Sequence, residues 1–232
     1  TDWTANGREC GLMGEKKNLR TEILEINVEK VLIDRGEEKE TEIVLGKNEL
    51  LKIILLPSVS HPLKNLKVYL KGDGSRAEVL GIIPGKGQTY FDITVSVIHQ
   101  GVNTSAYTHV RGVLFDESKA QFRGLIRIDK GANKTSSLLE NRMLILGEGA
   151  RADSIPSLEI EADDVKASHA ATIGRIDEQQ LFYLQSRGIE RKTATRMVVD
   201  GFFEPIISEI GDESVAALIR GGMWVDILKG KD

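Results

Sequence analysis

The chain has 232 residues, 41% of them hydrophobic and 28% charged, so it has the composition of an ordinary globular protein and can bury a sizeable core. Its formal net charge of −4 gives no global basic field for nucleic acid, and aromatic residues, at 5%, are few for stacking on bases or sugars. The single cysteine, Cys10, excludes an internal disulfide framework.

Residues 1–20 are polar, punctuated by glycine and without a clear period, which predicts a loop or tail. Cys10 lies here without partner residues, so we expect an incidental surface thiol. There is no basic-then-apolar signal, and no apolar run reaches the roughly 20 residues that span a bilayer. These features predict a cytoplasmic protein that binds neither membrane nor nucleic acid. The first residue is Thr1 and not Met, so we expect a processed or truncated chain.

From residue 21 onward the chain consists of short runs rich in Ile, Val and Leu, separated by turns rich in glycine and charged residues. Such runs are typical of β-strands. No helix-length periodic segment occurs before Gly174. The apolar runs occupy residues 22–33, 43–45, 50–56, 66–70, 77–83, 90–98, 111–115, 123–127, 142–146 and 157–162.

Two of these runs are similar to each other: RGVLF at 111–115 is echoed by RGLIR at 123–127, twelve positions later. Regular short strands allow a sandwich, a barrel or a β-solenoid. Three features favour the solenoid, namely the near absence of Asn-Gly or Asp-Gly hairpin turns, the large strand count and the short approximate repeat. In a solenoid, equivalent inward side chains lie over one another. We therefore predict a core ladder of Val113, Leu125, Leu144 and Leu158.

After about Gly174 the pattern becomes helical. Asp177 followed by Gln180 has the spacing of a capping box, and Gly188 provides a left-handed stop, which predicts a first helix over 177–187. A second helix is expected over about 190–199, ended by a break at Gly201.

Two further helices are expected beyond that break. Pro205 is predicted to begin the third helix, because proline is favoured in a first turn. Asp212 is predicted to cap a fourth, which Gly221 and Gly222 interrupt. Helices this short need a partner surface, such as the sheet edge, one another or a second chain.

No standard catalytic motif is present. The stretch GIIPGKGQ at 81–88 contains Gly-Lys but lacks the Ser or Thr and the following helix of a phosphate-binding loop. His-Glu-x-x-His, Cys-x-x-Cys and Gly-x-Ser-x-Gly are also absent, which disfavours nucleotide hydrolysis and standard metallohydrolysis.

Among the four histidines, His61 precedes a proline in a turn and is expected to be exposed, while His99 and His109 lie in strand-like runs and are expected to be structural. His169 is different, because small neighbours leave its imidazole accessible. Imidazole binds iron, zinc and copper readily, so His169 is the candidate metal ligand, with a structural histidine as the simpler interpretation.

Acidic residues cluster at Asp153, Glu159, Glu161, Asp163 and Asp164. Paired carboxylates on a β-helix can cleave or eliminate polysaccharide, so a carbohydrate-active enzyme using Asp163 and Asp164 is one alternative function. Exposed strand and turn positions explain the same acids more simply. A solenoid interaction module without any metal is a further alternative.

Residues 112–201 nevertheless resemble the SufB/SufD family, scaffold proteins of the Suf system of iron–sulfur cluster assembly. The stretches that carry the resemblance are RGVLFDESKAQFRGLIRI, RMLILGEGARADSIPSLEIEADDVKASHAATIGRIDEQQLFYLQSRGI and MVVDGFFEPIISEI. The resemblance implies a mainly β fold, a right-handed parallel β-helix with two strands per turn and a small C-terminal α-helical subdomain. We expect a polar segment over 1–20, a β-helix core over 21–174 and the helical subdomain over 175–232.

The same resemblance implies a non-catalytic subunit with no permanently bound cofactor. It would pair with a second SufB/SufD-type subunit, as a homodimer or heterodimer, and its helical region would bind a SufC-type ABC ATPase, which alone binds ATP. A transient iron–sulfur cluster is the expected cargo of the complex. The docking residues that it implies are Asp177, Phe182, Gly201, Phe202, Phe203 and Glu204, with the two adjacent phenylalanines as anchors if they are exposed.

His169 matches a histidine of the SufD branch that is implicated in the site where the nascent cluster forms. Two departures from the family affect this expectation. Ile160 and Ala170 stand where the SufB branch has a key cysteine and a carboxylate, and Ala167 stands where the SufD branch often has a cysteine. Thiolates are the usual ligands of iron–sulfur clusters, so we expect a partner subunit to supply them.

Overall fold

The structure is a computed structural model that describes residues 22–26 and 29–228. The predicted polar segment with Cys10 lies outside the described residues. The strands are β1 (Glu22–Ile26), β2 (Glu29–Asp34), β3 (Glu40–Leu45), β4 (Leu50–Leu55), β5 (Leu63–Leu70), β6 (Arg76–Gly85), β7 (Tyr90–His99), β8 (Ser105–Leu114), β9 (Lys119–Ile128), β10 (Thr135–Ile145), β11 (Arg151–Ile160) and β12 (Val165–Arg175). The helices are α1 (Glu178–Ser186), α2 (Arg191–Ser208) and α3 (Glu213–Leu228).

Consecutive strands after β1 alternate between two sheets. One sheet has the order β1-β2-β4-β6-β8-β10-β12 and the other β11-β9-β7-β5-β3. All described pairings are parallel except that of β1 with β2. Each turn of the coil therefore contributes one strand to each sheet, which confirms the predicted β-helix with two strands per turn.

The first apolar run, residues 22–33, forms two strands rather than one. These strands pair antiparallel, with Glu22 opposite Ile33. The alternation of apolar and polar residues cannot distinguish one strand from two, because both follow the same period.

The true repeat is close to thirty residues, not twelve. Ser105 pairs with Arg76 and with Ser136, which lie 29 residues before it and 31 after it. The twelve-residue echo joins β8 to β9, which lie in different sheets. It reflects two strands of one turn and not two successive turns.

The predicted ladder of four residues is wrong for that reason. Val113 and Leu144 are neighbours in register, but they pack in the cluster that α2 and α3 cover. Leu125 and Leu158 lie in the other sheet and are not opposite each other, since Leu125 pairs with Ser157. The core inside the coil is instead built from inward columns such as Phe91–Ala120 and Ile93–Phe122.

Close stacking of the turns requires glycine at several positions, and the approach is closest at two of them. A methyl group on Gly72 would lie 2.0 Å from the backbone nitrogen of Lys47 in the preceding turn, and one on Gly147 would lie 2.0 Å from the backbone oxygen of Asp116. At both positions the backbone therefore approaches the preceding turn more closely than any side chain allows.

The helical end contains three helices among the described residues, not the four expected. The first ends as predicted, at Gly188 with a φ of +83°. However, α2 continues through Gly201 with Pro205 inside it, and the backbone of α3 continues through Gly221. An interior proline costs about 3 kcal/mol. Burial of Val199, Phe203, Ile206 and Ile207 offsets this cost, at about 1.5–3 kcal/mol for each side chain.

Helices α2 and α3 cover the outer face of the seven-stranded sheet. Their apolar side chains form a second core with outward-facing residues of the sheet, including Ile54, Leu80, Ile82 and Val113. None of the helices in the described part of the chain is long and apolar enough to cross a membrane.

Candidate functional site

The last turn of the coil leaves the β-helix core open. We call β11 and β12 the open rung, since each is the final strand of its sheet in the described residues. Inward columns that are buried in earlier turns become exposed here. Val97 and Ile126 are buried, whereas Leu158, next in their column, is 36% exposed. Ile173 is 46% exposed although its column neighbour Met143 is buried.

The outer edge of β12 is also without a strand partner in the range that the structure describes. Its eleven residues pair with β10 on one side only. An edge of this length presents a row of unpaired N–H and C=O groups, which is a template for pairing with another chain. The open rung therefore combines exposed apolar side chains with an available strand edge.

His169 lies on this rung and faces the core side. It follows Val79, Thr108 and Leu139 in an inward column, and all three are buried while His169 is exposed. The structure thus places the sequence-predicted imidazole at the open end of the core.

Two polar atoms near this end have no hydrogen-bond partner. They are Asn141 Oδ1, on the inner side of β10, and Ser154 Oγ, on the inner side of β11. A buried polar atom without a partner is costly, so this end has polar groups that remain to be satisfied. No group of three or more His, Cys, Asp or Glu residues is arranged to hold a metal among residues 22–26 and 29–228. His169 therefore offers one nitrogen ligand and not a complete metal site.

The acidic residues near the open rung are all exposed: Asp153, Glu159, Glu161, Asp163 and Asp164. The two surface grooves beside the helices contain neither Asp163 nor Asp164. A glycosidase needs two carboxylates that face each other across a bound sugar, and neither of these two grooves brings Asp163 and Asp164 together in that way.

The helical end forms a second candidate surface. A groove of about 430 Å³ lies between α1, α2 and the sheet, and we call it the helix groove. It brings together three of the sequence-predicted docking residues, Asp177, Gly201 and Phe202. Its lining consists of Leu144, Arg175, Ile176, Asp177, Gln180, Met197, Val198, Gly201 and Phe202.

The other predicted docking residues differ in accessibility. Phe182 is 73% exposed, and Glu204 is exposed and bonded to Arg220 at 2.8 Å, which holds the pKa of that carboxyl below its usual range. Phe203 is fully buried and packs in the core beneath α2. The condition attached to the aromatic anchors therefore fails for Phe203, because consecutive residues of a helix point in different directions.

A polar network joins α2 to the sheet next to the helix groove. Arg111 Nε donates to His109 Nε2 at 2.9 Å, and His109 Nδ1 is 2.9 Å from Glu209 Oε2. Lys52 Nζ donates to the carbonyl oxygen of Glu209 at 3.0 Å, close to the end of the helix. Burial lowers the pKa of Arg111, and nearby Arg142 lowers it further.

The role of Arg111 in this network was not predicted from the sequence. One feature of the sequence could have indicated it: Arg111 alternates with His109 and Val113 along β8, so the three share one face of the strand. Polar residues on a face that is otherwise covered need hydrogen-bond partners. Those partners lie about a hundred residues further along the chain, where pattern reasoning does not reach.

His99 is buried inside the coil. Its Nδ1 lies 2.8 Å from Thr104 Oγ1 and its Nε2 lies 3.0 Å from Ser137 Oγ. Burial lowers the pKa of His99 from 6.5 to about 4, because the charged imidazolium loses its hydration. The structural role expected for this residue is confirmed.

We expect His99 to make the fold sensitive to acid. His99 binds a proton near pH 6.5 in the unfolded chain but only near pH 4 in the folded chain. The contribution of neutral His99 to the free energy of unfolding is therefore fully present above pH 6.5 and is lost as the pH falls from 6.5 to about 4. The loss approaches about 3 kcal/mol, at 1.36 kcal/mol per pH unit. Denaturant titrations across this range should show that the His99→Gln variant has a shallower pH dependence than the wild type. His61→Gln, at an exposed site, is the control, and an unchanged slope in His99→Gln would contradict the assignment.

The sequence is similar to known proteins of one family. The sequence matches the family described as SUF system FeS cluster assembly, SufBD core domain, over residues 59–202. It is 40% identical over 146 residues to the iron–sulfur cluster assembly protein SufD of Bacillus subtilis, which covers 63% of this chain and 33% of that protein. SufD of Escherichia coli is 36% identical over 152 residues, covering 65% and 36%, and SufB of Bacillus subtilis is 36% identical over 152 residues, covering 65% and 32%. The chain thus spans about a third of the length of these relatives.

Proposed function

The chain belongs to the SufBD core domain family of the SUF system of iron–sulfur cluster assembly, and on that premise we propose that it is a non-catalytic scaffold subunit of an assembly complex. It pairs with a second SufB/SufD-type subunit through the open rung and binds a SufC-type ABC ATPase through its helical end. The observation that carries the proposal is the open rung, because an uncapped apolar core needs a cover.

Pairing at the open rung is supported by both apolar burial and backbone geometry. Leu158, Ile160 and Ile173 are large apolar side chains of the inward columns, and each is at least 36% exposed. A second subunit that adds a strand to β12 would bury them and satisfy the free strand edge together. A subunit of the same family presents a matching end, so a pair, homomeric or heteromeric, closes both cores.

In this proposal the iron–sulfur cluster is what the complex assembles and passes on, not a resident cofactor. His169 is at the open rung, so it would lie in the interface between the two subunits. It supplies one nitrogen ligand, and the described residues beside it provide no thiolate. The remaining ligands come from the partner subunit, which fits a site that is complete only in the assembled pair.

The ATPase docks on the helical end in this proposal. Phe182 and Tyr183 of α1 are 73% and 57% exposed, and Met197 of α2, which lines the helix groove, is 48% exposed. Exposed aromatic residues and methionine are over-represented at protein interfaces and carry much of the binding energy. ATP is bound by that partner, and this chain transmits the motion.

Co-expression with a SufC-type ATPase and a second SufB/SufD-type subunit tests the proposal. We expect a stable three-component complex that gains the visible absorption of an iron–sulfur cluster on reconstitution with iron and sulfide. Phe182→Ala should weaken ATPase binding by about tenfold or more and leave subunit pairing intact. Ile173→Lys should weaken pairing to a similar degree and leave ATPase binding intact, because it places a charge in the covered core end.

Val44 provides a matched control for Ile173. It is 54% exposed, but it lies on β3 at the other end of the coil, so Val44→Lys should affect neither partner. His169→Ala should reduce cluster formation without changing either affinity. Failure to bind any SufC-type ATPase at micromolar concentration would contradict the proposal that the helical end binds the ATPase. A complex that forms but shows no absorption band would indicate a metal-free interaction module.

A further inference from the structure

The polar network beneath α2 converges on Phe202, a residue of the helix groove. Arg111 Nη1 donates to the Phe202 carbonyl, and the guanidinium carbon lies 5.3 Å from the centre of the Phe202 ring. One buried cation thus contacts both the backbone and the side chain of the same residue. A guanidinium stacked on a ring and bonded beside it holds that ring more firmly than a contact of either kind alone.

His109 fixes the orientation of Arg111. Because Arg111 Nε always carries a hydrogen, His109 Nε2 must accept the bond between them, and its proton must reside on Nδ1. That Nδ1–H then donates to Glu209 Oε2 at 2.9 Å. The geometry of the three side chains therefore requires a neutral imidazole with one defined tautomer.

From this arrangement we infer that Arg111 is the positioning residue of the helix groove, and that the charge state of His109 controls it. Neutral His109 holds Arg111 against Phe202 and so keeps the Phe202 ring in the position in which the helix groove binds the ATPase. Protonated His109 presents a second N–H to the Arg111 guanidinium, so the acceptor is lost and two cations face each other. Arg111 then withdraws and releases Phe202. The inference rests on the proposed function only in taking the helix groove as the ATPase surface.

Other charged groups lie near this network, and the two acids among them have partners. Glu140 accepts from the Tyr107 hydroxyl at 3.1 Å, and Glu78 is 3.3 Å from Lys52 Nζ. Arg142 of β10 is close enough to lower the pKa of Arg111. Of the charged groups around His109, Glu209 and Arg111 are the two that bond its ring directly, each at 2.9 Å.

A nuclear magnetic resonance titration of the full chain tests this inference without any partner. At about pH 8 we expect ¹⁵N–¹H spectra of the imidazole to report the Nδ1–H tautomer of His109. As the pH is lowered to about 5.5, the ring signals of Phe202 should shift together with the signals of His109, with a common midpoint. In His109→Gln, which stays neutral, the Phe202 signals should not move over this range. His61→Gln, at an exposed site, should behave as the wild type. The Nε2–H tautomer at high pH, or Phe202 signals that titrate equally in His109→Gln, would overturn the inference.

The pH dependence of binding to a SufC-type ATPase provides a second test of the inference. We expect the affinity of the wild-type chain to fall about tenfold between about pH 8 and about pH 5.5, within the usual range for coupled sites, and the affinity of His109→Gln to fall less. Equal losses in both proteins would contradict control by His109. An ATPase that fails to bind at any pH would contradict the proposed function, and the ring signals of Phe202 would then decide the positioning role independently.

Discussion

Replacing Lys64 with methionine should lower the free energy of unfolding by about 3–5 kcal/mol, because it leaves a buried carboxylate without its cation. Lys64 Nζ lies 2.6 Å from Asp34 Oδ2, and both side chains are almost completely shielded from solvent. The same ammonium donates to Thr41 Oγ1 and to the Glu38 carbonyl. Denaturant unfolding of the wild type and Lys64→Met measures the loss.

Two comparisons make this prediction specific. Lys67 of β5 and Glu42 of β3 form an ion pair at 2.8 Å, but their side chains are 37% and 57% exposed, so Lys67→Met should change stability far less than Lys64→Met. The double variant Lys64→Met with Asp34→Asn should recover much of the loss, since it removes the unpaired charge and keeps an acceptor for the Gly36 N–H. A Lys64→Met protein as stable as Lys67→Met would show that the buried pair contributes little.

The second large effect is expected at Phe203. Phe203→Ala should cost about 3–5 kcal/mol, because it opens a cavity in the core that joins α2 and α3 to the seven-stranded sheet. The helical end should loosen before the coil does, since the coil has its own separate core. Hydrogen exchange resolved by segment should therefore show faster exchange in α2 than in β6 and β8, together with weaker ATPase binding.

Phe182 is the matched control for Phe203, because it is an aromatic residue of the same helical end with its ring in solvent. Phe182→Ala should leave the free energy of unfolding within about 0.5 kcal/mol of the wild type. It should still weaken ATPase binding. If the two variants lose binding and stability in parallel, exposed aromatic residues are not the docking anchors, and the helical end acts only through its packing.

Local signals in the sequence determined the ends of several elements. Asp177 accepts from the Gln179 N–H at 2.8 Å, Asp212 accepts from the Val215 N–H at 2.9 Å, and Gly188 has the left-handed conformation expected of a helix stop. These interactions span two or three residues, so they act in the same way wherever the segment lies. Alternating apolar residues similarly predicted strands up to the change near Gly174, since the period depends only on which face is buried.

Only the tertiary structure decided which segments meet and which local signals are overridden. Pro205 predicted a helix start, yet α2 continues through it because burial of its apolar face on the sheet outweighs the cost of the proline. The register of about thirty residues, the burial of Phe203 and the contact of His109 with Glu209 all depend on surfaces far apart in the chain. The sequence by itself determined strands, helices and caps. Packing over long separations determined the open rung and the helix groove, since those surfaces exist only after the coil has closed on itself.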